Sequence, residues 1–124
     1  MKRIEAIIRP EKILDVKAAL ERLGYGGMTV TEVKGHGTQR GIKEEWNGKE
    51  FWIEFLPKLW FLMVVDDKDV DEVVDAICEN AVTGEPGDGK VFVSDIIDAV
   101  RVRTRERGVA ALTGGTPVVT PGAG

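Results

Sequence analysis

The pattern of apolar and polar positions divides the chain into a short series of strands and helices. In residues 2–9, KRIEAIIR, the side chains of Ile4, Ala6 and Ile8 fall on one face, which predicts a strand. Pro10 ends it and suits the first turn of a helix. The following EKILDVKAALERLG places Ile13, Val16, Leu20 and Leu23 at helical spacing, with Gly24 as a stop. Residues 28–34, MTVTEVK, alternate and are rich in β-branched side chains, the mark of a second strand. Phe51 to Phe55 alternates again, Leu56-Pro57-Lys58 interrupts the pattern, and LWFLMVV at 59–65 is a strong third strand. Asp66 and Asp67 are candidate N-caps for a helix on which Val70, Val73, Val74, Ile77, Cys78 and Ala81 share a face, and Gly84 can close it. VFVSD at 91–95 is a fourth strand. Residues 96–103 read as a turn followed by a small extra strand.

The order is β-α-β-β-α-β, an α+β, ferredoxin-like arrangement in which both helices cover one face of an antiparallel sheet. LWFLMVV is apolar on both faces: Leu59, Phe61, Met63 and Val65 on one, Trp60, Leu62 and Val64 on the other. A strand that is apolar on both sides of a one-sided sheet needs a second cover. Self-association through the sheet supplies one; folding of the long loop or the tail over that face is the alternative. Residues 35–50, GHGTQRGIKEEWNGKE, have no clean period and carry four glycines, and a connection of this length tends to be functional or disordered. From about residue 109 the chain becomes ALTGGTPVVTPGAG, expected to be a mobile tail. The domain is therefore placed at 1–108 and the tail at 109–124.

Composition narrows the function classes. The 124 residues carry 43% hydrophobic and 31% charged side chains and a net charge of −4, which argues against a general nucleic-acid binder. One cysteine, Cys78, forbids an internal disulfide and fits a reduced, cytoplasmic setting; its place on the apolar helix face predicts a core residue. One His and one Cys do not make a zinc site of the usual kind. No apolar run reaches the length of a signal peptide core or a membrane span.

The stretch TGEPGDGK at 83–90 holds most of the candidate chemistry. Gly84 to Lys90 satisfies the G-x-x-x-x-G-K part of a P-loop, but it follows a helix, opens a strand and continues with Val91 where a magnesium-binding Ser or Thr is required. What survives is anion binding by backbone amides and Lys90, against a plain glycine-rich connection with Lys90 in solvent. Arg101, Arg103, Arg105 and Arg107 recur at every second position and, if extended, share a face suited to phosphate oxygens, with Val100 and Val102 packing against the body; a charged edge is the other reading. Gly35, Gly37, Gln39 and Gly41 at the root of the long loop allow close approach of backbone to a ligand. Lys58, fixed after Pro57, is a cation near the return of that loop. His36 reads as a surface residue. No catalytic constellation of Ser, His, Asp or Cys is present, so no enzymatic activity is expected.

The segments IEAIIRPEK, GMTVTEVKGHG, FLPK, TGEPGDGKVFV and VRVRT resemble the PII nitrogen-regulatory signal proteins over residues 1–108. The resemblance implies a homotrimer with ATP or ADP bound in clefts between subunits. Gly87, Asp88, Gly89 and Lys90 are then expected at the phosphates, with Gly37 and Gln39 from the root of the long loop. Ile7 and Val64 are expected at the adenine, and Met28, Thr29, Arg101 and Arg103 from the neighbouring subunit. It implies 2-oxoglutarate sensing beside Mg-ATP, with Gln39 helping to hold magnesium and the backbone near Gly41 and the Lys58 ammonium holding the keto-acid. It also implies that the long loop, about residues 36–54 and the family's T-loop, docks onto ammonium transporters and nitrogen-metabolism enzymes; such a transporter is the only link to a membrane.

The chain departs from that pattern at several positions. Phe51 replaces the tyrosine that is uridylylated, so no modification is expected there, and Lys49 stands at the phosphorylated serine. Asn47 replaces the arginine that enters transporter pores, Thr38 an arginine at the terminal phosphate, and Leu62 the glutamate near adenine. Trp46, Trp52 and Trp60 make the loop and its stem aromatic. Thr38 and Leu62 favour an alternative, a PII-like sensor of ADP or AMP that ignores 2-oxoglutarate and regulates another transporter or enzyme. A slow ATPase lacks a base or a water-orienting group.

Overall fold

In the computed structural model the described residues are 1–36, 43–46, 49–52 and 55–113. Strand β1 (Lys2–Ile8) leads through a 3-10 turn at Pro10–Lys12 into α1 (Ile13–Arg22), and β2 (Thr29–Gly35) follows. A two-stranded hairpin, β3 (Lys43–Trp46) and β4 (Lys49–Trp52), stands between β2 and β5 (Leu56–Val65). Helix α2 (Val70–Ala81) and β6 (Gly89–Asp95) complete the series, and a short 3-10 turn spans Gly108–Ala111. The main sheet runs β2-β5-β1-β6, antiparallel throughout, which is the expected ferredoxin-like α+β pattern.

The core lies between one face of this sheet and the two helices. Ile4, Ala6 and Ile8 of β1 and Phe61, Met63 and Val65 of β5 are buried there against Val16, Ala19 and Leu20 of α1 and Val73, Ala76 and Ile77 of α2. The alternation in β1 sends its even positions to the helices and its odd positions, Arg3, Glu5 and Ile7, to the opposite face. In register with them on that open face lie Lys58, Trp60, Leu62 and Val64 of β5 and Lys90, Phe92 and Ser94 of β6. Trp60, Leu62 and Val64 are only half-covered within one chain. Trp60 Nε1 donates to Glu5 Oε2 at 3.2 Å, and Arg3 pairs with Glu5 Oε1 at 2.7 Å.

Several local expectations are corrected. Strand β5 begins at Leu56 and runs through Pro57 and Lys58 rather than being interrupted there. Pairing with β1 stops at Leu59, so Pro57 lies where β5 has β2 alone as a neighbour, a position that tolerates a missing N–H. Asp66 and Asp67 give no side-chain cap; Asp67 pairs instead with the N-terminal ammonium at 2.9 Å. Helix α2 ends at an extended Val82, not at Gly84, which takes its positive φ further along the loop. Leu23 is exposed, and so is Cys78, which is therefore not a core residue. β6 starts at Gly89, two residues early. No extra strand forms in residues 96–103: Val100 and Arg107 form a single bridge around a turn, and Arg105 has φ 64°. The four arginines therefore do not share an extended face, and Val102, 96% exposed, does not pack on the body.

The hairpin β3–β4 was not foreseen from the long loop's composition. Its signal in the sequence is Asn47-Gly48 between two four-residue runs, a combination that favours two-residue hairpin connections. The first residues of the tail form the Gly108–Ala111 turn, while the expectation of mobility beyond residue 113 lies outside the described residues.

Candidate functional site

Where β1 ends, the chain brings three cations to one end of the open sheet face. Lys90 lies in register with Ile7, which also faces Trp60. Lys58 is on the same face of β5, one alternate position beyond Trp60. Arg9 continues the odd-numbered side of β1, because its backbone is still extended (φ −64°, ψ 137°) before Pro10 turns the chain. Sequence reasoning left Arg9 out of the site. The available signal was this parity, carried one residue past the strand by the restriction that a following proline imposes.

The loop 83–89 is folded around the Asp88 carboxylate. Thr83 N–H donates to Oδ2 at 2.8 Å and Gly84 N–H at 3.0 Å, the Thr83 hydroxyl donates to Oδ1, and Arg9 Nε donates to Oδ1 at 3.0 Å. These bonds, the Thr83 hydroxyl first, hold the Asp88 carboxyl well below its ordinary value. The Asp88 side chain is turned into the loop, where it shapes the turn and pairs with Arg9, which leaves only its backbone to face a phosphate. Arg9 Nη2 also donates to the Pro86 carbonyl at 2.8 Å, and Lys58 Nζ donates to the Gly87 carbonyl. Burial, and then the positive charge of Arg9, holds the Lys58 ammonium below its usual value.

Gly89 is fixed by contact. Its φ is 101°, and a Cβ there would sit 1.7 Å from the Ile7 carbonyl oxygen, so only glycine lets β6 close onto β1. Gly87, φ 98°, would bring a Cβ within 3.4 Å of both Arg9 Nη2 and Lys58 Nζ. The loop backbone and these two cations are thus in direct contact, the arrangement that an anion with several oxygens fits.

The expected site residues fall into two groups. Ile7, Lys58, Gly87, Gly89 and Lys90 gather at the end of the open face described above. Thr29 is opposite Leu62, two positions from Val64, and Met28 packs at the margin of the core. Val64 faces Arg3, four rungs from Ile7, which is roughly 13 Å along a strand. Arg101 is turned toward the C-terminal segment, pairing with Glu106 at 2.7 Å, and Arg103 is exposed. Gly37, Thr38, Gln39 and Gly41, and with them the expected magnesium and keto-acid contacts of the long loop, lie outside the described residues, as does the Phe51 side chain. Among the described residues no group of three or more His, Cys, Asp or Glu side chains is placed to hold a metal ion, and no helix is long and apolar enough to cross a membrane.

Comparison with known proteins bears on the whole of this architecture. A relative from Methanothermobacter thermautotrophicus, nitrogen regulatory protein P-II 1, is 53% identical over 112 residues, covering 90% of this chain and 97% of the relative. The nitrogen regulatory protein P-II of Nostoc punctiforme is 51% identical over 112 residues, 90% of this chain and all of the relative, and that of Pasteurella multocida is 48% identical over the same spans. The model of the family described as Nitrogen regulatory protein P-II matches residues 1–106, and the chain belongs to that family.

Proposed function

We propose that this protein is a non-catalytic regulator in nitrogen signalling that reads adenine nucleotides. The observation that carries the reading is the contact of Arg9 and Lys58 with the loop around Gly87, with Lys90 on the same open face and the Asp88 carboxylate of the loop already paired. Such a cradle suits the oxygens of a polyphosphate and offers no base or nucleophile for its hydrolysis. ATP or ADP is the ligand, Mg2+ accompanies ATP, and 2-oxoglutarate joins Mg-ATP through Lys58 and the loop root at Gln39 and Gly41.

The protein acts as a homotrimer. Trp60, Leu62 and Val64 present a half-covered apolar row, and the second group of site residues, Met28 and Thr29 with Arg101 and Arg103, completes the cleft from the adjacent subunit. The long loop, 36–54, with the hairpin β3–β4 inside it, takes up ligand-dependent conformations that differ in affinity for a partner, which is what a ligand switch requires. The partner is an ammonium transporter or another protein of nitrogen metabolism, in the cytoplasm or at the cytoplasmic face of that transporter.

A second reading, an ADP or AMP sensor without a 2-oxoglutarate response, is favoured by Leu62, which sets an aliphatic side chain directly opposite Glu5 and Thr29 on the open face. Calorimetry separates the two. ATP, ADP and AMP are titrated with magnesium, with and without 2-oxoglutarate. Keto-acid heat in the presence of Mg-ATP supports the first reading; its absence, with ADP or AMP binding retained, establishes the second.

A further inference from the structure

The Arg101 guanidinium is already in use. Nη1 donates to Glu106 Oε1 at 2.7 Å, and Nη2 donates both to the Ala110 carbonyl at 2.9 Å and to the Thr113 carbonyl. The backbone around it is closed by Arg101 N–H on the Glu106 carbonyl, Arg105 N–H on the Arg101 carbonyl and Gly108 N–H on the Ala99 carbonyl. The side chain is 15% exposed. A guanidinium grips a phosphate in bidentate fashion along either of two edges, Nη1 with Nη2 or Nε with Nη2. Both edges include Nη2, and both of its hydrogens are given to carbonyls of the C-terminal segment. Arg101 therefore cannot hold that segment and make a bidentate contact with a phosphate at the same time. The segment lies past residue 106, where the family match ends.

We propose that the C-terminal segment Gly108–Thr113 is a built-in gate on the nucleotide cleft, competing with the ligand's phosphates for the Arg101 guanidinium. This rests on the reading above, in which Arg101 reaches a nucleotide. The gate has two consequences. The ligand binds more weakly than the bare cleft allows, since part of its interaction replaces bonds that the segment already makes. By reciprocity, ligand binding frees the segment by the same factor that the segment weakens binding. A C-terminal segment released only in the liganded state gives each subunit a second ligand-dependent surface, separate from the long loop.

The test uses the full chain and Mg-ATP, with amide hydrogen exchange read by NMR and binding read by calorimetry. Saturating Mg-ATP is expected to speed exchange at Leu112, whose N–H donates to the Val109 carbonyl within the held turn. Glu106→Ala is expected to tighten Mg-ATP binding about fivefold, because one charged partner of Arg101 is gone in the free state. It is also expected to speed Leu112 exchange without ligand. Nucleotide heat with unchanged or slowed exchange at Leu112 overturns the gate and leaves the nucleotide reading standing. Tighter binding by Glu106→Ala with Leu112 exchange unaltered in both states does the same, since it assigns the gain to charge alone. Absence of nucleotide heat in both proteins overturns the underlying reading as well.

Discussion

At the scale of single residues, the loop 83–90 separates groups that build a cradle from groups that would grip a ligand. Gly89→Ala forces a Cβ into the Ile7 carbonyl and a side chain into positive φ, so it is expected to cost more than ~2 kcal/mol in urea unfolding. Gly87→Ala meets only the ends of two flexible cations and is expected to cost about 1–2 kcal/mol, from φ alone. Lys90→Ala removes a charge from an exposed position, and is expected to weaken nucleotide binding in calorimetry while thermal stability stays within ~0.5 kcal/mol of the wild type. Asp88 gives a pH prediction with a definite sign. Its folded carboxyl titrates below the ordinary 3.8, so the stability it supplies is complete above that value and drains away as pH falls toward the folded value. The melting-temperature gap between wild type and Asp88→Asn should therefore be widest at neutral pH and shrink on acidification below about pH 4. A gap that is flat with pH would mean that the Thr83 and Gly84 bonds do not distinguish carboxylate from amide.

At the scale of elements, much of the pattern was legible because period alone carries it. The odd–even split of β1 and the i, i+4 spacing of Val16 with Leu20 and of Val73 with Ile77 identify the core directly. The failures have physical causes. Pro57 and Lys58 read as a break because a proline in a central strand is rare, and only the staggered end of β1 shows that β5 is one-sided there. The alternating arginines read as extended because side-chain identity says nothing of Arg105's left-handed backbone or of the Arg101–Glu106 closure that bends the segment. Cys78 read as core because it is apolar and neighbours Ile77, but α2 buries Val73, Ala76, Ile77 and Ala81, and the stripe passes it by. Within the candidate site, the glycines and Lys90 were visible as a motif. Arg9 and the inward use of Asp88 were not, since both depend on two segments 79 residues apart meeting. The two faces of β5 also predict different phenotypes. Phe61→Ala empties a fully buried site between sheet and helices and is expected to cost about 3–5 kcal/mol in denaturant unfolding.

At the scale of the whole molecule, the open face decides whether the chain works alone. A solvated sheet face normally alternates to polar side chains, and Arg3, Glu5, Lys58 and Lys90 follow that rule while Ile7, Trp60, Leu62, Val64 and Phe92 break it. The polar residues lie at the margins or are paired, as Arg3 is with Glu5. The edge strand β6 adds Phe92, about half exposed, to that face, without a proline or bulge to blunt it. An apolar row between charged margins is the kind of surface that the proposed trimer would cover. Light scattering at micromolar concentration is therefore expected to give about three times the 13.6 kDa chain mass. Trp60→Asp sets an acid next to Glu5 in the middle of that face without entering the core, so it is expected to shift the mass toward a single chain while the far-ultraviolet circular dichroism is kept. Loss of nucleotide binding in that folded but dissociated variant would tie the ligand to the cleft between subunits. A dissociated variant that still binds with wild-type affinity would place the whole site within one chain, and Arg9, Lys58 and Lys90 would then have to suffice.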